Sequence, residues 1–409
     1  MPISHRFESS PSHANQGNSK GYLRLLLAVI VFSVTLYLGN RSSALLKLTS
    51  SFDIDRFRNI STNESSSSTN WWDDYVDQVA TPFARWKGPK YSWCIEEASN
   101  DTTFDGLMLA KTFKTGSSSA AALTLHISHR VAQRHLKQHH CKAFFKHSFM
   151  TRNRHSHRVQ PSLLWTIVRN PANRAVSAIN FFQVGMHGNN LSEEEMVSLL
   201  SEEKNVQLHQ IRISQGEKSK LGSEALESFD NLTTFIKESV FAAYDFVAVS
   251  ERWDESVAVM QLLFDLQAED MIILPAKKSG SWTWDRKHGD EAGCFLIPRP
   301  QTPKPVEKYL RTEFTHRNAD FLLHAAAHKS LDLTIDLLGR DLVAAQVAKL
   351  KTLQEYVQRQ CLHEAVFPCS SNGTFQRESQ QDCYWLDMGC GYRCIDRVVA
   401  SYKMGLNYT

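Results

Sequence analysis

MLAKTFKTGSSSAAALTLHISHRVAQRH, residues 108–135, decides how this chain is read. Its apolar lead-in, Leu107, Met108, Leu109 and Ala110, predicts a short buried strand. The strand runs into Lys114-Thr115-Gly116-Ser117-Ser118-Ser119, after which Ala122, Leu125, His126 and His129 recur at helical spacing. A strand, a tight polar loop and a helix start aim unpaired backbone N–H groups, and the positive end of the helix dipole, at whatever lies above the loop. The hydroxyls of Thr115 and Ser117, Ser118 and Ser119 add donors, and Lys114 adds a charge, so the loop has the chemistry to hold a phosphate. Serine is also a common helix N-cap, and the same residues fit an ordinary capped helix.

A second stretch, TIVRNPANRAVSAINFF at residues 166–182, bears on that choice. Leu163 to Val168 reads as another buried strand, followed by Arg169-Asn170-Pro171 and a helix carrying Arg174 and Ser177. Proline suits the first helical turn, where its missing N–H costs nothing. Taken singly, a surface arginine and a helical serine are the plainer reading. Together and in this order, K-T-G-S-S-S and R-N-P-x-x-R-x-x-S resemble the two nucleotide-binding signatures of sulfotransferases. The chain is similar to Golgi carbohydrate sulfotransferases of the galactose-3-O and uronyl-2-O type, over roughly residues 107–361.

That resemblance implies an α/β fold, a mostly parallel sheet with flanking helices in the P-loop-like sulfotransferase arrangement. It implies 3′-phosphoadenosine 5′-phosphosulfate (PAPS) as co-substrate and a glycan hydroxyl, on galactose or a uronate, as acceptor. The loop from Lys114 through Thr115, Gly116, Ser117 and Ser118 to Ser119 would grip the 5′-phosphate. Arg169 and Ser177 would grip the 3′-phosphate, with Arg174 helping. Lys114 would stabilise charge growing on the bridging oxygen, Lys111 being the poorer stand-in because it lies within the strand. No metal is required, because Lys114 does what a magnesium ion does in kinases; accordingly there is no G-x-x-x-x-G-K-[S/T] loop. The acceptor hydroxyl must lose a proton, for which an imidazole is well tuned. His147, in Phe144-Phe145-Lys146-His147, resembles the base histidine of uronyl 2-O-sulfotransferases in context and distance from the arginine motif. His139, His140 and His157 are rivals, and a structural His147 stays open.

Working outward, residues 1–21 are polar and Ser-rich, expected as a cytosolic tail. Residues 22–39, YLRLLLAVIVFSVTLYLG, predict a single-pass signal anchor with the rest of the chain lumenal, since Arg6 and Lys20 precede it and Arg24 sits at the N-terminal boundary of its uncharged core, Leu25–Gly39. A cleaved signal peptide is the competitor, but Tyr37, Leu38 and Asn40 make a poor cleavage site. Residues 40–100 are assigned to the stem: Ser50–Asn70 is its Ser/Thr/Asn-rich heart, and Trp71 opens a more structured segment running to Cys94, with Trp71, Trp72, Trp86 and Trp93 packing against the catalytic domain rather than stacking sugars. The catalytic domain is assigned to 101–360 and a Cys-rich segment to 361–409. Sequons begin at Asn40, Asn59, Asn63, Asn100, Asn190, Asn231, Asn372 and Asn407, all past the anchor. The chain has 8 cysteines, with Cys361, Cys369, Cys383, Cys390 and Cys394 crowding the C-terminal end. They predict disulfides in an oxidising lumen rather than zinc, although Cys390-x-x-x-Cys394 has tolerable metal spacing. A Golgi membrane address follows.

A net charge of +3 excludes a bulk nucleic-acid binder. The basic run from His129 to Arg158 reads as a solvated face or as the bed for an acidic glycan. Residues 191–222 read as an insertion bearing on acceptor choice. Glu251-Arg252-Trp253-Asp254-Glu255-Ser256 resembles the E-x-x-D-E-S segment of the galactose-3-O family, where Glu251 would touch the acceptor or support the site. Lys277-Lys278-Ser279-Gly280 and Arg286-Lys287-His288-Gly289 bracket a loop, with Arg286 and Lys287 as candidates for the 3′-phosphate. Two other classes share the anchor and disulfides: a glycosyltransferase, which would show a D-x-D-like metal motif, and a non-catalytic lumenal binder of anionic glycans. The acceptor position and oligomeric state are not set by these residues.

Overall fold

The computed structural model describes residues 70–85, 87, 106–135, 143–147, 162–214, 229–284, 293–299, 302–316, 318–385 and 388–406. The expected tail and anchor, His139, His140, His157, Arg286, Lys287, Cys94 and Cys141 lie outside them. Among the described residues, no helix is long and apolar enough to cross a membrane.

The elements, in chain order, are α1 (Asp73–Val79), β1 (Leu107–Lys111), α2 (Ser117–His135), β2 (Ala143–His147), β3 (Leu163–Val168) and α3 (Pro171–Ile179), which continues as a π-helix over Asn180–Met186. There follow α4 (Glu193–Glu202), α5 (Val206–Ser214), α6 (Phe229–Thr234), β4 (Phe246–Val249) and α7 (Trp253–Leu263). A hairpin of β5 (Trp282–Trp284) and β6 (Cys294–Leu296) leads to α8 (Lys304–Tyr309) and two long helices, α9 (Asp320–Leu338) and α10 (Arg340–Cys361). A second hairpin, β7 (Cys383–Trp385) and β8 (Met388–Cys390), precedes α11 (Tyr392–Leu406).

The chain is thus mixed α/β, and its main sheet is parallel. Every residue of β1, β3 and β4 is buried, which is why these strands read as unbroken apolar runs instead of alternating ones. The strand order is β2-β1-β3-β4, with Leu107 paired to Ala143 on one side of β1 and to Leu163 on the other. The order therefore grows one way from β1 to β2 and the other way from β3 to β4, and it switches between β1 and β3. In open parallel sheets, ligands bind beyond the carboxyl ends of the strands at such a switch point. Both sequence signatures lie there.

Polar threads fix the register. Thr112 Oγ1 donates to the Ile167 carbonyl at 2.7 Å, and Thr166 Oγ1 to the Ala110 carbonyl at 2.8 Å. The Trp165 indole donates to Thr124 Oγ1 at 3.2 Å, locking α2 to β3.

Residues 70–85 fall within the span assigned to the stem, yet they belong to the core. Trp72 stacks on Phe321 with ring centroids 4.9 Å apart, and the N–H groups of Thr81 and Phe83 donate to Ser330 and Thr334 of α9. The folded unit includes these residues as well as 361–406, so the boundaries at 101 and 361 do not divide it. At the C-terminal end, Cys361 pairs with Cys394, Cys383 with Cys390, and Cys294 with Cys369. Cys390 and Cys394 are consumed by different disulfides, which removes the zinc reading of that pair.

Candidate anion-binding site

The loop after β1 is shaped by two residues in the left-handed region, Lys114 at φ 63° and Gly116 at φ 86°. Glycine takes that conformation without penalty, whereas lysine does so at a cost that such loops bear where geometry serves a ligand. Within the loop, Thr115 turns inward: its hydroxyl is buried against Thr112, 2.8 Å from Thr112 Oγ1. Thr115 therefore braces the loop, and its hydroxyl is not available as the donor expected of it. Ser117 is buried, Ser118 and Ser119 are half-buried, and Gly116 is exposed.

The second corner leaves β3 at Arg169-Asn170-Pro171. Asn170 caps α3 by accepting from the Asn173 N–H at 3.1 Å, and Pro171 occupies the first turn. Neither α2 nor α3 has an acidic residue in its first turn, whereas α4 and α7 both do. A carboxylate there would compete with a bound anion for the helix dipole; α2 and α3 share its absence with α5 and α11, and at α3 the Glu251 carboxylate, from outside the helix, accepts from the Asn170 N–H.

The corners touch. Arg169 Nη1 donates to the Lys114 carbonyl at 3.0 Å. The Lys114 ammonium lies 3.5 Å from the centroid of the Phe181 ring, supplied by the π-helical continuation of α3, and Lys277 approaches the same ring at 5.7 Å. Lys277 also has a left-handed backbone, at φ 55°. Burial, followed by Lys277, Arg169 and Lys111, pushes the Lys114 ammonium down to about 7. Burial and then Lys277 push Lys111 down to about 7 as well. Burial lowers Arg169 below its ordinary value, with Glu251 opposing. Among the described residues, the charges that shift Lys114 are thus all positive. An anion among them would relieve the repulsion and restore the ammonium.

Beside the loop lies a cavity of ≈ 390 Å³ whose lining includes Gly116, Ser119, Ser250, Trp253, Lys278 and Gln354. Its lining is mixed, with Trp253, Val257, Ile273 and Leu350 among the polar groups.

The sequence missed the braces. Helix α5, within the span read as an acceptor-selecting insertion, holds both corners from behind. Buried Gln207 accepts from the Arg169 N–H at 2.8 Å and donates to the Arg169 carbonyl at 2.9 Å; Gln210 accepts from the Phe113 N–H at 2.7 Å. The start of α5 is in turn capped by buried Asp320, which accepts from the N–H groups of Gln207 and Leu208 at 2.9 Å each. Arg174 belongs to this framework and not to the anion site: it is buried and paired with Glu203 at 2.7 Å. Lys111 adds its charge from within β1. Ser177 is half-buried about two turns into α3, further along the helix than the corner itself.

His147 ends β2, paired in register with Lys111, so its backbone sits at the same end of the sheet as the two corners. Part of the basic run has a structural role. Arg130 and Arg134 pair with Asp270, and Arg130, His126 and His129 surround Asp396 of α11. Burial pushes the Asp396 carboxyl up, and these histidines and Arg130 bring it well below the usual carboxylate range. In the E-x-x-D-E-S segment, Ser256 accepts from the Val249 N–H at 3.0 Å, Glu255 pairs with Arg252 at 2.6 Å and Asp254 with Lys351 at 3.0 Å. Glu251 accepts from the Asn170 N–H at 2.9 Å, which makes it a support of the arginine corner.

Comparison with protein-family models, with curated proteins and with solved structures returns no match.

Proposed function

We propose that this chain is a PAPS-dependent carbohydrate O-sulfotransferase, anchored in the Golgi membrane by residues 22–39 with its catalytic domain in the lumen. The observation that carries the reading is the contact between the two corners: Arg169 reaches Lys114 at the sheet's switch point, and the ionic field on Lys114 is positive throughout. A donor with phosphates at both ends of one adenosine needs two adjoining anion sites, and these corners adjoin. The sequence resemblance supplies the chemistry and the sequons and disulfides the compartment.

In this reaction the acceptor hydroxyl oxygen attacks sulfur in line. The bond from sulfur to the bridging phosphate oxygen breaks, the hydroxyl proton passes to a base, for which His147 is the candidate, and 3′-phosphoadenosine 5′-phosphate leaves. Lys114 meets the charge that develops on the bridging oxygen; Arg169 and the α3 start hold the other phosphate. Ser177 is assigned to that phosphate on the resemblance alone. The acceptor is a glycan bearing galactose or a uronate.

A thermal-shift experiment on the purified lumenal fragment tests this. Ligand at a hundred times its Kd stabilises by about 2.7 kcal/mol, which is several degrees for a chain of this size. Stabilisation by 3′-phosphoadenosine 5′-phosphate, absent with nucleotide sugars and abolished by Lys114→Ala, is the expected result. Indifference to the nucleotide refutes the proposal. Mass-spectrometric detection of sulfate on a panel of defined glycans then identifies the acceptor.

A further inference from the structure

Outside the anion site, three side chains with metal-ligating atoms meet where β4, α9 and the arginine corner come together. His324 and His328 stand one turn apart on α9, a spacing that puts both imidazoles on one face of a helix. Their Nε2 atoms are 3.2 Å apart, and Glu251 Oε2 lies 3.2 Å from His324 Nε2. All three ligand atoms fall within 4.8 Å of one another.

Hydrogen bonding alone serves this arrangement poorly. His324 Nε2 faces both the Glu251 carboxylate and His328 Nε2, and one ring nitrogen carries at most one proton, so it cannot donate to both. The remaining nitrogen–nitrogen contact requires His328 to donate to a nitrogen that is itself needed as a donor. A cation between the three atoms accepts a lone pair from each and removes the conflict. The dimensions fit: metal–nitrogen bonds of 2.0–2.1 Å at a tetrahedral centre place neighbouring ligand atoms about 3.3 Å apart, against the 3.2 Å of both short pairs. Nearby positive charge is already neutralised, because Arg252 pairs with Glu255 at 2.6 Å and with Asp332 at 2.8 Å.

From this geometry we infer that Glu251, His324 and His328 form a binding site for a zinc-class divalent cation, two imidazoles and one carboxylate with a fourth position open to water. Nitrogen-rich ligation favours zinc or cobalt over calcium or magnesium. The site ties α9 to the arginine corner through one carboxylate. Glu251 gives one oxygen to the cation while the other accepts from the Asn170 N–H at 2.9 Å. Such a clip is structural, separate from sulfuryl transfer, and independent of which donor the corners hold.

The test is titration of the chelator-treated lumenal fragment with Co²⁺ alone, followed by its visible d–d absorption, and with Zn²⁺ alone by calorimetry. The expected wild-type result is one saturable equivalent with the intense visible bands of a four-coordinate site. The double variant His324→Gln/His328→Gln should lose that equivalent, with binding at least tenfold weaker; its circular dichroism and unfolding midpoint in chelator report whether it folds. His328→Cys keeps three ligands and should add a sulfur-to-cobalt charge-transfer band in the near ultraviolet. No saturable equivalent in the wild type overturns the inference. So does the same stoichiometry in the folded double variant, which would trace the binding to other members of the chain's 17 histidines. A folded His328→Cys variant without the new band overturns it too.

Discussion

Replacing Lys114 with methionine should push stability and ligand binding in opposite directions. The substitution keeps the length and apolar stem of the side chain, and so its contact with Phe181, but removes the charge. In the native state the ammonium is pushed from 10.5 to about 7, first by burial and then by Lys277, Arg169 and Lys111. Below pH 7 the lysine is charged in both native and unfolded chains, and the native state carries the whole penalty. As pH rises from about 7 to 10.5 the native lysine loses its proton first, the unfolded state binds more protons, and stability climbs. A tenfold change in proton affinity corresponds to about 1.4 kcal/mol, so the penalty at pH 6 has an upper bound of about 4–5 kcal/mol. Side-chain rearrangement and water entry reduce this, and a gain of about 1–2 kcal/mol for Lys114→Met at pH 6 is expected.

Lys111 shares the depressed value and contributes the same slope. Wild type should therefore gain up to about 2.7 kcal/mol per pH unit just above pH 7, and the variant about half that. Urea unfolding of a fragment spanning residues 40–409 at pH 6, 7, 8 and 9 measures both slopes. Repeating the series with 3′-phosphoadenosine 5′-phosphate should flatten the wild-type slope, because the bound anion restores the ammonium, and leave the variant almost unmoved. A variant less stable than wild type at pH 6, or an unchanged pH slope, refutes the reading of Lys114 as a cation held among cations.

Gln207→Leu strips the Arg169 N–H and carbonyl of their partners, and unsatisfied buried groups cost about 1–3 kcal/mol each; urea midpoints should fall accordingly, along with nucleotide stabilisation, and an unchanged midpoint would deny the brace. The Cys361–Cys394 disulfide closes a loop of 33 residues, for which chain entropy gives about 3–4 kcal/mol. Cys361→Ser/Cys394→Ser should show that loss in equilibrium unfolding under oxidising conditions, and a loss below about 1 kcal/mol would discard the entropic account. Of the described sequons, Asn372 stands exposed in a turn and accepts from the Thr374 hydroxyl at 3.2 Å, whereas Asn231 lies within α6. Glycopeptide mapping of the chain expressed through a secretory pathway should find Asn372 occupied and Asn231 bare; both asparagines are exposed, so the reverse pattern would contradict the argument that a turn and not a helix presents the acceptor.

What was legible in the sequence was local. A buried strand followed by a polar turn and an amphipathic run leaves its trace within some thirty residues, and both corners follow that pattern: β1 into α2 and β3 into α3. The burial of the strands was legible for the same reason, since strands covered on both faces have no polar alternation, while their parallel arrangement was an expectation of the resemblance. Disulfide pairing was not, because eight cysteines allow 105 connectivities and nothing local chooses among them. The tryptophans of segment 70–85 read as packing against the domain, whereas the burial of Val79 and Phe83, which carries the segment into the core, shows only in the fold.

The braces and the charge field failed to show for a deeper reason. Gln207 and Gln210 are ordinary polar residues on a helix until α5 is brought to the ends of β1 and β3, and the partners they hold are 38 and 97 positions away. Lys277 follows Lys114 by more than a hundred and sixty positions in the chain, yet both ammonium groups approach the one ring of Phe181. A net charge of +3 says nothing of such a concentration, because net charge is a sum over the chain and a binding field is a sum over distance. The same holds in reverse for the basic run at 129–158, read as a solvated face or a glycan bed, whose arginines at 130 and 134 pair with Asp270 and Asp396. A cationic residue is a candidate for holding an anion where the fold leaves it among cations and does not pair it with a carboxylate. The charges that shift Lys114 are all cations, whereas Arg130 and Arg134 pair with Asp270 and Arg174 with Glu203, although all four are basic residues in or between the two signatures.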